Sequence, residues 1–454
     1  MIAELAEIVG AANVLTGTDM ARWSRDWTGH YTGSPRVVLR PGSRDEVAAV
    51  LRFAAARGIP VVPVSGNTGL NGGALGTDAL VIALDRMNRI REIRPQARVA
   101  VVEAGVIVDA LNAAAEDHGL IFPLAFGASG SAMIGGVLST NAGGANVLRY
   151  GNTRDLCLGL EVVLADGRVM DLMQALHKNN AGFDLRDLMI GAEGQLGIIT
   201  GAIMKLHPRP SERATAMVAM ETLDPAGALL NALQDASGNA VVAFEFMPRS
   251  FVEGHFLVDP KAREPFAAPH AVNLLIELAA TRPLGDALEE VLAGWMERGI
   301  VTDAVIAQNE AQRREMWARR EAAAEISFRK HPVIDTDIAV PRECVPEYLR
   351  AIEPRLRAVD PGCEVSSVAH LGDGNIHYCC YPTEAALMAP LRAEIDALAM
   401  EMNGTFSAEH GVGLSKLAPM ARYKDPVALE MMRRIKAAFD PQGILNPGKT
   451  LPQG

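Results

Sequence analysis

The sequence predicts an α+β protein of two domains, and three observations carry that prediction. Short β-branched runs alternate with helix-like stretches along almost the whole chain. Glycines crowd the first half and return only near the end. Pro208-Arg209-Pro210 interrupts the chain where the first glycine-rich stretch stops, and two prolines so close disfavour helix on either side.

The elements follow in order. Val37-Val38-Leu39, Val61 to Val64, Ala79 to Leu84, Val99 to Glu103, Leu160 to Leu164 and Ile198 to Ile203 read as strands. Asp45 to Arg57 reads as a helix that Ser43 caps. Residues 1–210 are therefore expected to form one α+β domain. Beyond it, Ala214 to Met220, Val241 to Met247, Val272 to Ala279 and Val301 to Ala307 are strand-like. Asp224 to Ala236, Leu284 to Gly299 and Glu310 to Lys330 are helix-like. This suits a second domain, residues 211–422, built as an antiparallel sheet with helices on one face. Residues 423–454 hold one helix, about Pro426 to Phe439, and a Pro/Gly-rich tail expected to return to the first domain. Length alone allows about three domains of roughly 150 residues, and this return reduces them to two.

Composition excludes several classes. Lys+Arg 43 against Asp+Glu 54 leaves a net charge of −11, so there is no basic field for nucleic acid. Five cysteines in 454 residues do not make a disulfide framework and suggest a reducing compartment. Met1 to Gly10 carries Glu4 and Glu7 and no basic segment, so no targeting peptide is expected. Apolar runs such as Val99 to Val102 fall far short of the ~20 residues that cross a bilayer. A cytoplasmic protein is expected, with peripheral membrane contact left open.

Two phosphate motifs fail on context. Gly443 to Thr450, GILNPGKT, matches the P-loop pattern, but a helix precedes it, Pro447 removes a donor, and only four residues follow. Gly372-x-Gly374 and Gly411-x-Gly413 lack the third glycine of a dinucleotide fingerprint, so no NAD site is expected. The early glycines are different. In SGNTGLNGGA, Gly66, Gly69, Gly72 and Gly73 permit close backbone approach, and Asn67, Thr68 and Asn71 add neutral donors. A second stretch, Gly127 to Gly144, interleaves Ser129, Ser131, Thr140 and Asn141. Two such loops suit a large cofactor with a pyrophosphate, although two glycine-rich tight turns would read alike.

Histidines and acids gather later. Asp373-Gly374 reads as a two-residue hairpin turn, which would set His370 opposite His377 with Cβ atoms about 5 Å apart. On spacing alone, a shared divalent metal competes with a hydrogen-bonded pair beside a turn. Glu409-His410 lies in a second short motif. Cys379-Cys380 invites a redox reading, but adjacent strand residues point to opposite faces, so two small buried residues are expected.

PVVPVSGNTGLNGGA (60–74), SAMIGGVLSTNAGGANVLRYGNTRDLCLGLEVVLADG (131–167) and GAEGQLGIITGAIMKL (191–206) resemble the FAD domain of the vanillyl-alcohol oxidase / p-cresol methylhydroxylase flavoproteins. AHLGDGNIHYCCYP (369–382), SAEHGVGLSK (407–416) and ILNPGK (444–449) resemble its D-2-hydroxyacid dehydrogenase branch. That branch includes FAD-linked D-lactate dehydrogenase, D-2-hydroxyglutarate dehydrogenase and the D subunit of glycolate oxidase.

The resemblance covers essentially the whole chain. It implies a two-subdomain FAD-binding fold with a ferredoxin-like α+β substrate cap. It implies that Gly66, Asn67, Thr68, Gly69, Gly72 and Gly73 wrap the FAD pyrophosphate. Ser131, Gly135, Gly136, Thr140, Gly143 and Gly144 would line the flavin, and Glu193, Gly197 and Ile199 would lie nearer the adenine. Asn446 joins the cofactor set from the C-terminal signature. No histidine lies between His30 and His118, so FAD is expected to be non-covalent.

The same resemblance implies His370, His377 and Glu409 as ligands of a divalent metal, zinc or manganese, and His410 as general base. Arg320 would bind the substrate carboxylate, with Arg319 the alternative. Most of Arg313, Arg314, Arg319 and Arg320 are expected to be solvated. The substrate would be a small 2-hydroxy acid. The electron acceptor would be external, a quinone, an electron-transfer flavoprotein or a cytochrome, and a homodimer is the default assembly. Hydroxyglutarate-type relatives carry a threonine, a lysine and an asparagine where this chain has Ala324, Asp335 and Cys379. A D-2-hydroxy monocarboxylate is therefore expected, with D-2-hydroxyglutarate, a glycolate oxidase complex and a non-catalytic flavin-binding protein as alternatives.

Overall fold

Val272–Ala280 is buried at all nine positions, with no alternation between faces. A strand reads this way only when both faces of its sheet are covered. The structure, a computed structural model describing residues 1–453, shows why. This strand sits inside a seven-stranded antiparallel sheet. In spatial order the strands are Val301–Ile306, Glu212–Met220, Val272–Ala280, Val241–Pro248, Glu364–His370, Asn375–Tyr381 and Ile334–Ala339. Helices Ala226–Ser237, Ala287–Glu297, Val345–Val359 and Met388–Glu401 pack on one face through Leu229, Leu292, Tyr348 and Ile395. On the other face, Met217, Met247, Leu275 and Val368 meet Phe251, Met316 and Ile326. The expectation of helices on one face is thus corrected. Helix-like periodicity shows that a helix buries one side, but not which side of a sheet receives it.

The first four strands of this sheet, taken as chain order 1 to 4, lie 4-1-3-2, a ferredoxin-like arrangement. The last three repeat it as 1-3-2, and a bridge from Ala339 to Thr405 stands where a fourth strand would lie. The two halves join edge to edge, Glu245 opposite His370 and Phe246 opposite Ala369. A repeat in topology thus exists without a repeat in sequence.

The predicted single helix Glu310 to Lys330 is two helices, Glu310–Glu321 and Ala323–Ser327. Its N-terminus is capped by Asn309, whose side chain accepts from the amides of Ala311 and Gln312.

The chain divides into two compact units. One comprises residues 1–143, 151–209 and 409–454; the other comprises 144–150 and 210–408. The return to the first unit therefore comes at Glu409, not at residue 423, and the short segment containing helix Val147–Tyr150 belongs with the large sheet. Leu148 packs against that sheet's core, and a Cβ at Gly372 would press on it. Gly454 lies outside the described residues.

The first unit holds three sheets, the smallest being the pair Leu120–Ile121 and His207–Pro208. Val37–Leu39, Leu80–Ala83 and Val61–Val64 run parallel, with Val14–Leu15 added antiparallel at one edge. Helix Arg44–Ala55 makes the crossover, and the Ser43 hydroxyl caps it by accepting from the Glu46 amide at 3.2 Å. The second sheet is antiparallel, in the order Ile90–Arg94, Val99–Glu103, Ile198–Lys205, Cys157–Val163 and Val169–Leu172. The tail pairs with the first sheet: the Val61 amide donates to Ile444 O and the Asn446 amide to Val61 O, both at 2.7 Å. Lys449 is buried with its Nζ on Asn446 Oδ1 at 2.9 Å, and burial pulls its pKa down to about 8. A P-loop lysine has to reach a phosphate, and this one is enclosed. No helix is long and apolar enough to cross a membrane among the described residues.

Candidate active site

The two glycine stretches come together in the first unit. A Cβ at Gly66 would collide with the Ser131 carbonyl oxygen, and one at Gly135 with Ala104, beside the Ser65 hydroxyl. Only glycine permits this approach. Asn67 takes a left-handed conformation, φ 55°, and its amide donates to the carbonyls of Arg22 and Arg25 at 3.1 Å. Thr68, Gly69, Gly72 and Gly73 continue the loop, Gly72 with φ 66° and Gly73 facing Glu193. Gly135, Gly136 and Thr140 lie in the short helix Ile134–Thr140. Ser131 is exposed just before that helix, and Gly143 ends this segment of the unit. Gly144 opens the piece that belongs with the large sheet. Main-chain donors beside side-chain-free glycines suit a pyrophosphate-bearing cofactor such as FAD.

Some expected cofactor residues also hold the protein together. The Glu193 carboxylate is half-buried and accepts from the amides of Val412 and Gly413 at 2.9 and 2.8 Å. Burial pushes its carboxyl upward in pKa, against the pull of those amides. Asn71, expected to be a free donor, gives its amide to the carbonyls of His410 and Gly411 at 2.9 and 2.8 Å. Its Oδ1 accepts from Ser415. The loop carrying His410 is therefore pinned on its carbonyls by Asn71 and on its amides by Glu193. Gly413 lies against the Asn71 backbone, where a Cβ would collide. Asn446 donates to the carbonyls of Gly73 and Glu193 and accepts from Lys449, so its amide braces the loops. Gly197 is packed on Val162, and Ile199 is a buried residue of the Ile198–Lys205 strand.

In the second unit, one sheet face carries the candidate residues. The hairpin register differs from the expected one: His370 pairs with Asn375, and His377 pairs with Val368. The turn is longer because the Gly372 amide donates across to Phe244 O and leaves Asn375 to others. The two histidines still share a face as diagonal neighbours, with ring centroids 5.4 Å apart at 78°.

Directly opposite His377 on the next strand stands Asp337. It is buried, and its carboxylate accepts from Asn375 Nδ2 and from the Ala408 amide at 3.1 and 3.2 Å. One peptide bond beyond Ala408 come Glu409 and His410, with His410 Nε2 3.5 Å from Glu409 Oε1. Asp337 and His377 belong to the second unit, and Glu409 and His410 open the last segment of the first. Imidazoles and carboxylates are the donor types that a divalent ion such as zinc or manganese takes. Asp337 was not anticipated; the signal for it was an acid alternating with apolar residues in a strand beside the hairpin. His370 lies against Glu245 and Arg320.

Helix Glu310–Glu321 supplies cations to the same face. Contrary to the solvated expectation, Arg319 and Arg320 are buried, Arg313 is half-buried, and only Arg314 is exposed. Arg313, Trp317 and Arg320, spaced four and three apart, fall on one side of the helix. The first two meet Glu277, and Arg320 Nε donates to Glu245 Oε2 at 2.7 Å. Arg319 turns away and donates to Arg263 O at 2.9 Å.

Cys379 and Cys380 face opposite cores, Cys379 hydrogen-bonded to Ser327 and Asp335. Burial pushes the Cys157 and Cys380 thiols up to about 12 and Cys379 higher still. Four of the five thiols are buried, and Cys344 is half-buried. A thiol reagent applied to the native protein at neutral pH is expected to modify Cys344 first, read by mass spectrometry of the digest.

Comparison with known proteins gives consistent findings. An FAD binding domain profile matches residues 35–173, and the profile of the C-terminal domain of FAD linked oxidases matches residues 209–450. The chain is 36% identical to a D-2-hydroxyglutarate dehydrogenase of Xanthomonas citri pv. viticola, over 99% of this chain and 96% of that one. It is 35% identical to the mitochondrial D-2-hydroxyglutarate dehydrogenase of Bos taurus, over 99% and 83%. Among solved structures, p-cresol methylhydroxylase with substrate bound superposes with a TM-score of 0.77 at 17% identity, covering 100% and 96%. A 4-ethylphenol oxidase from Gulosibacter chungangensis gives 0.72 at 21%, covering 100% and 97%. These two show a shared fold.

Proposed function

The chain belongs to the FAD-linked oxidase family, and from that premise we propose an FAD- and divalent-metal-dependent dehydrogenase that converts a D-2-hydroxy acid to the 2-oxo acid. The observation that carries this reading is the full-length similarity to D-2-hydroxyglutarate dehydrogenases, joined by the buried Asp337 facing His377 on one sheet. Bound FAD supplies the hydride acceptor at flavin N5. His410 takes the hydroxyl proton as general base. Arg320 pairs with the substrate carboxylate through its guanidinium fork. By the family resemblance His370, His377 and Glu409 would hold the metal, which would supply Lewis-acid stabilisation of charge on the hydroxyl oxygen. Asp337 braces His377 from the facing strand. Glu193 and Asn71 keep the His410 loop in place.

We read the preferred substrate as a monocarboxylate, D-lactate or a longer apolar analogue. Asp335 stands opposite Cys379 on the same face as Asp337 and His377, and its carboxylate accepts from the Cys379 thiol at 3.2 Å. A distal substrate carboxylate there would meet like charge, and Ala324 offers it no hydroxyl. Full-length identity to proteins named D-2-hydroxyglutarate dehydrogenase favours the second reading, a dicarboxylate. Anaerobic flavin bleaching with D-lactate, a longer apolar D-2-hydroxy acid, D-malate and D-2-hydroxyglutarate decides between them. The expected result is the highest kcat/KM for a monocarboxylate, with bleaching lost after chelation. D-2-hydroxyglutarate far ahead of the others would establish the second reading. An external acceptor re-oxidises the flavin, and co-purifying subunits would place the chain in a glycolate oxidase-like complex.

A further inference from the structure

Arg319 is 2% exposed and His255 5%, and each carries a buried nitrogen without a hydrogen-bond partner. Arg319 Nη2 donates to Arg263 O at 2.9 Å, but its Nε has no acceptor. On helix Arg249–Val258, His255 Nδ1 is likewise unpartnered. The cations around them are paired: Arg313 with Glu277, Arg320 with Glu245, and Arg249 with Glu264 and Glu253. Glu315 and Glu264 act on Arg319 through charge, and Asp259 and Glu325 on His255. Neither group has an ion pair among the described residues. Glu264 gives both oxygens to Arg249, the Asp259 carboxylate accepts from the Lys261 amide, and Glu315 and Glu325 are exposed. An arginine does not shed its proton, so an unpaired guanidinium at this depth is a standing cost. Burial pulls its pKa down, and burial together with the Arg319 charge does the same to His255.

We propose that Arg319, with His255 close by, is a binding site for a small carboxylate anion, separate from Arg320. The sign of the ligand follows from the uncompensated charge. Its class follows from the fork, because parallel N–H groups of a guanidinium match the two oxygens of a carboxylate. Arg249 shows that pairing nearby, with Nη1 and Nη2 on the two Glu264 oxygens at 2.8 Å each. One guanidinium balances one negative charge, and the surrounding acids oppose a second, which disfavours a phosphate dianion. The donor is held before a ligand arrives. Phe266 packs its loop into the core with Phe251 and Met316, and the same loop supplies the Arg263 carbonyl to Nη2. Arg319 and Arg320 are consecutive on helix Glu310–Glu321 and meet different partners. A filled site would therefore brace the turn that carries Arg320, although the Arg319 site does not rest on the substrate role of Arg320.

The test is the melting temperature of the FAD-loaded protein as sodium acetate, chloride or phosphate is added at matched ionic strength. Wild type, Arg319→Met, Arg319→Lys and Arg320→Met are compared, the last to remove acetate bound at the substrate arginine. At saturation acetate is expected to raise the melting temperature of wild type and of Arg320→Met by about 5 °C. Arg319→Met is expected to lose that rise and, without acetate, to melt at or above wild type, since an apolar side chain of similar size replaces an unpaired buried charge. An arginine that merely supports the fold would give a variant that melts lower and keeps the whole acetate rise, which overturns the proposal. If Arg319→Met does not hold FAD, Arg319→Lys is read. It keeps the charge without the fork and is expected to lose at least about half of the rise. A rise equal to wild type in Arg319→Lys then overturns the proposal. No acetate rise in wild type, or a rise lost in Arg320→Met, also overturns it. Chloride or phosphate ahead of acetate overturns the carboxylate assignment.

Discussion

Replacing His410 by alanine is expected to lower the rate of anaerobic flavin reduction by about 10²–10⁴-fold while leaving FAD bound. The magnitude is that of a positioned general base, and the positioning is visible. Asn71 donates to the carbonyls of His410 and Gly411, and Glu193 accepts from the amides of Val412 and Gly413. Four main-chain groups in a row are thus held within one unit, independent of the His410 side chain. Removing the imidazole leaves this frame unaltered, so cofactor content and substrate-dependent KM should stay near wild type. Stopped-flow absorbance of the flavin checks the rate, and the flavin spectrum of the same sample checks loading. A rate comparable with wild type would remove His410 from the chemistry.

Glu277→Ala is expected to cost about 3–5 kcal/mol of stability, the range for breaking a buried ion pair by deleting one partner. For a unit of this size that corresponds to a melting temperature lower by about 10 °C. Glu277 is 2% exposed. Its carboxylate accepts from Arg313 Nε and Nη2 at 2.6 and 2.9 Å and from Trp317 Nε1 at 2.8 Å. Thr215 Oγ1 and Arg213 Nη1 complete the set at 2.8 and 2.9 Å. Alanine strands all of them and loosens the helix that carries Arg320. The same residue makes a pH prediction. Burial alone would raise its carboxyl, but Arg313, Trp317 and Arg213 outweigh burial and hold it below the usual value. A carboxyl depressed in the folded state stabilises the fold above its unfolded pKa of about 4.3. That stabilisation is lost as pH falls through the lower folded pKa. The stability gap between wild type and Glu277→Gln should therefore be full at neutral pH and shrink below about pH 4.3, by at most about 1.4 kcal/mol per pH unit. Urea midpoints at a series of pH values measure it; a gap constant down to acid pH would show that Glu277 is not held as an ion.

Much of the fold was legible because its signals are local. Val37–Leu39, Val61–Val64 and Val99–Glu103 appear as β-branched runs, and Pro426–Phe439 as a helix with Asp425 at its cap. Ser43 announces the Arg44–Ala55 helix in the same way. The hairpin register was not legible. Asp373-Gly374 has the composition of a two-residue turn, but Gly372 finds its acceptor on Phe244, a residue 128 positions earlier, and the pairing slips. Asp337 was missed for a related reason. Its partners, Asn375 and Ala408, belong to other segments, and nothing in Ile334–Ala339 alone distinguishes it from Asp335.

The sequence by itself determined the two-unit α+β plan, the glycine-rich loops, and the two short motifs in which histidines and acids gather. Those properties reside in short windows, where glycine content, β-branching and a few adjacent side chains act over one turn or one strand. The tertiary structure alone decided that Glu193 and Asn71 hold the His410 loop, that Glu245 stands behind His370 and Arg320, and that three side chains of one helix reach two buried carboxylates. These are pairings between residues tens to hundreds of positions apart. Each exists because a buried carboxylate, amide or guanidinium must find a partner wherever the packed chain brings one. A single sequence shows which groups need partners, but only folding brings the partners to them.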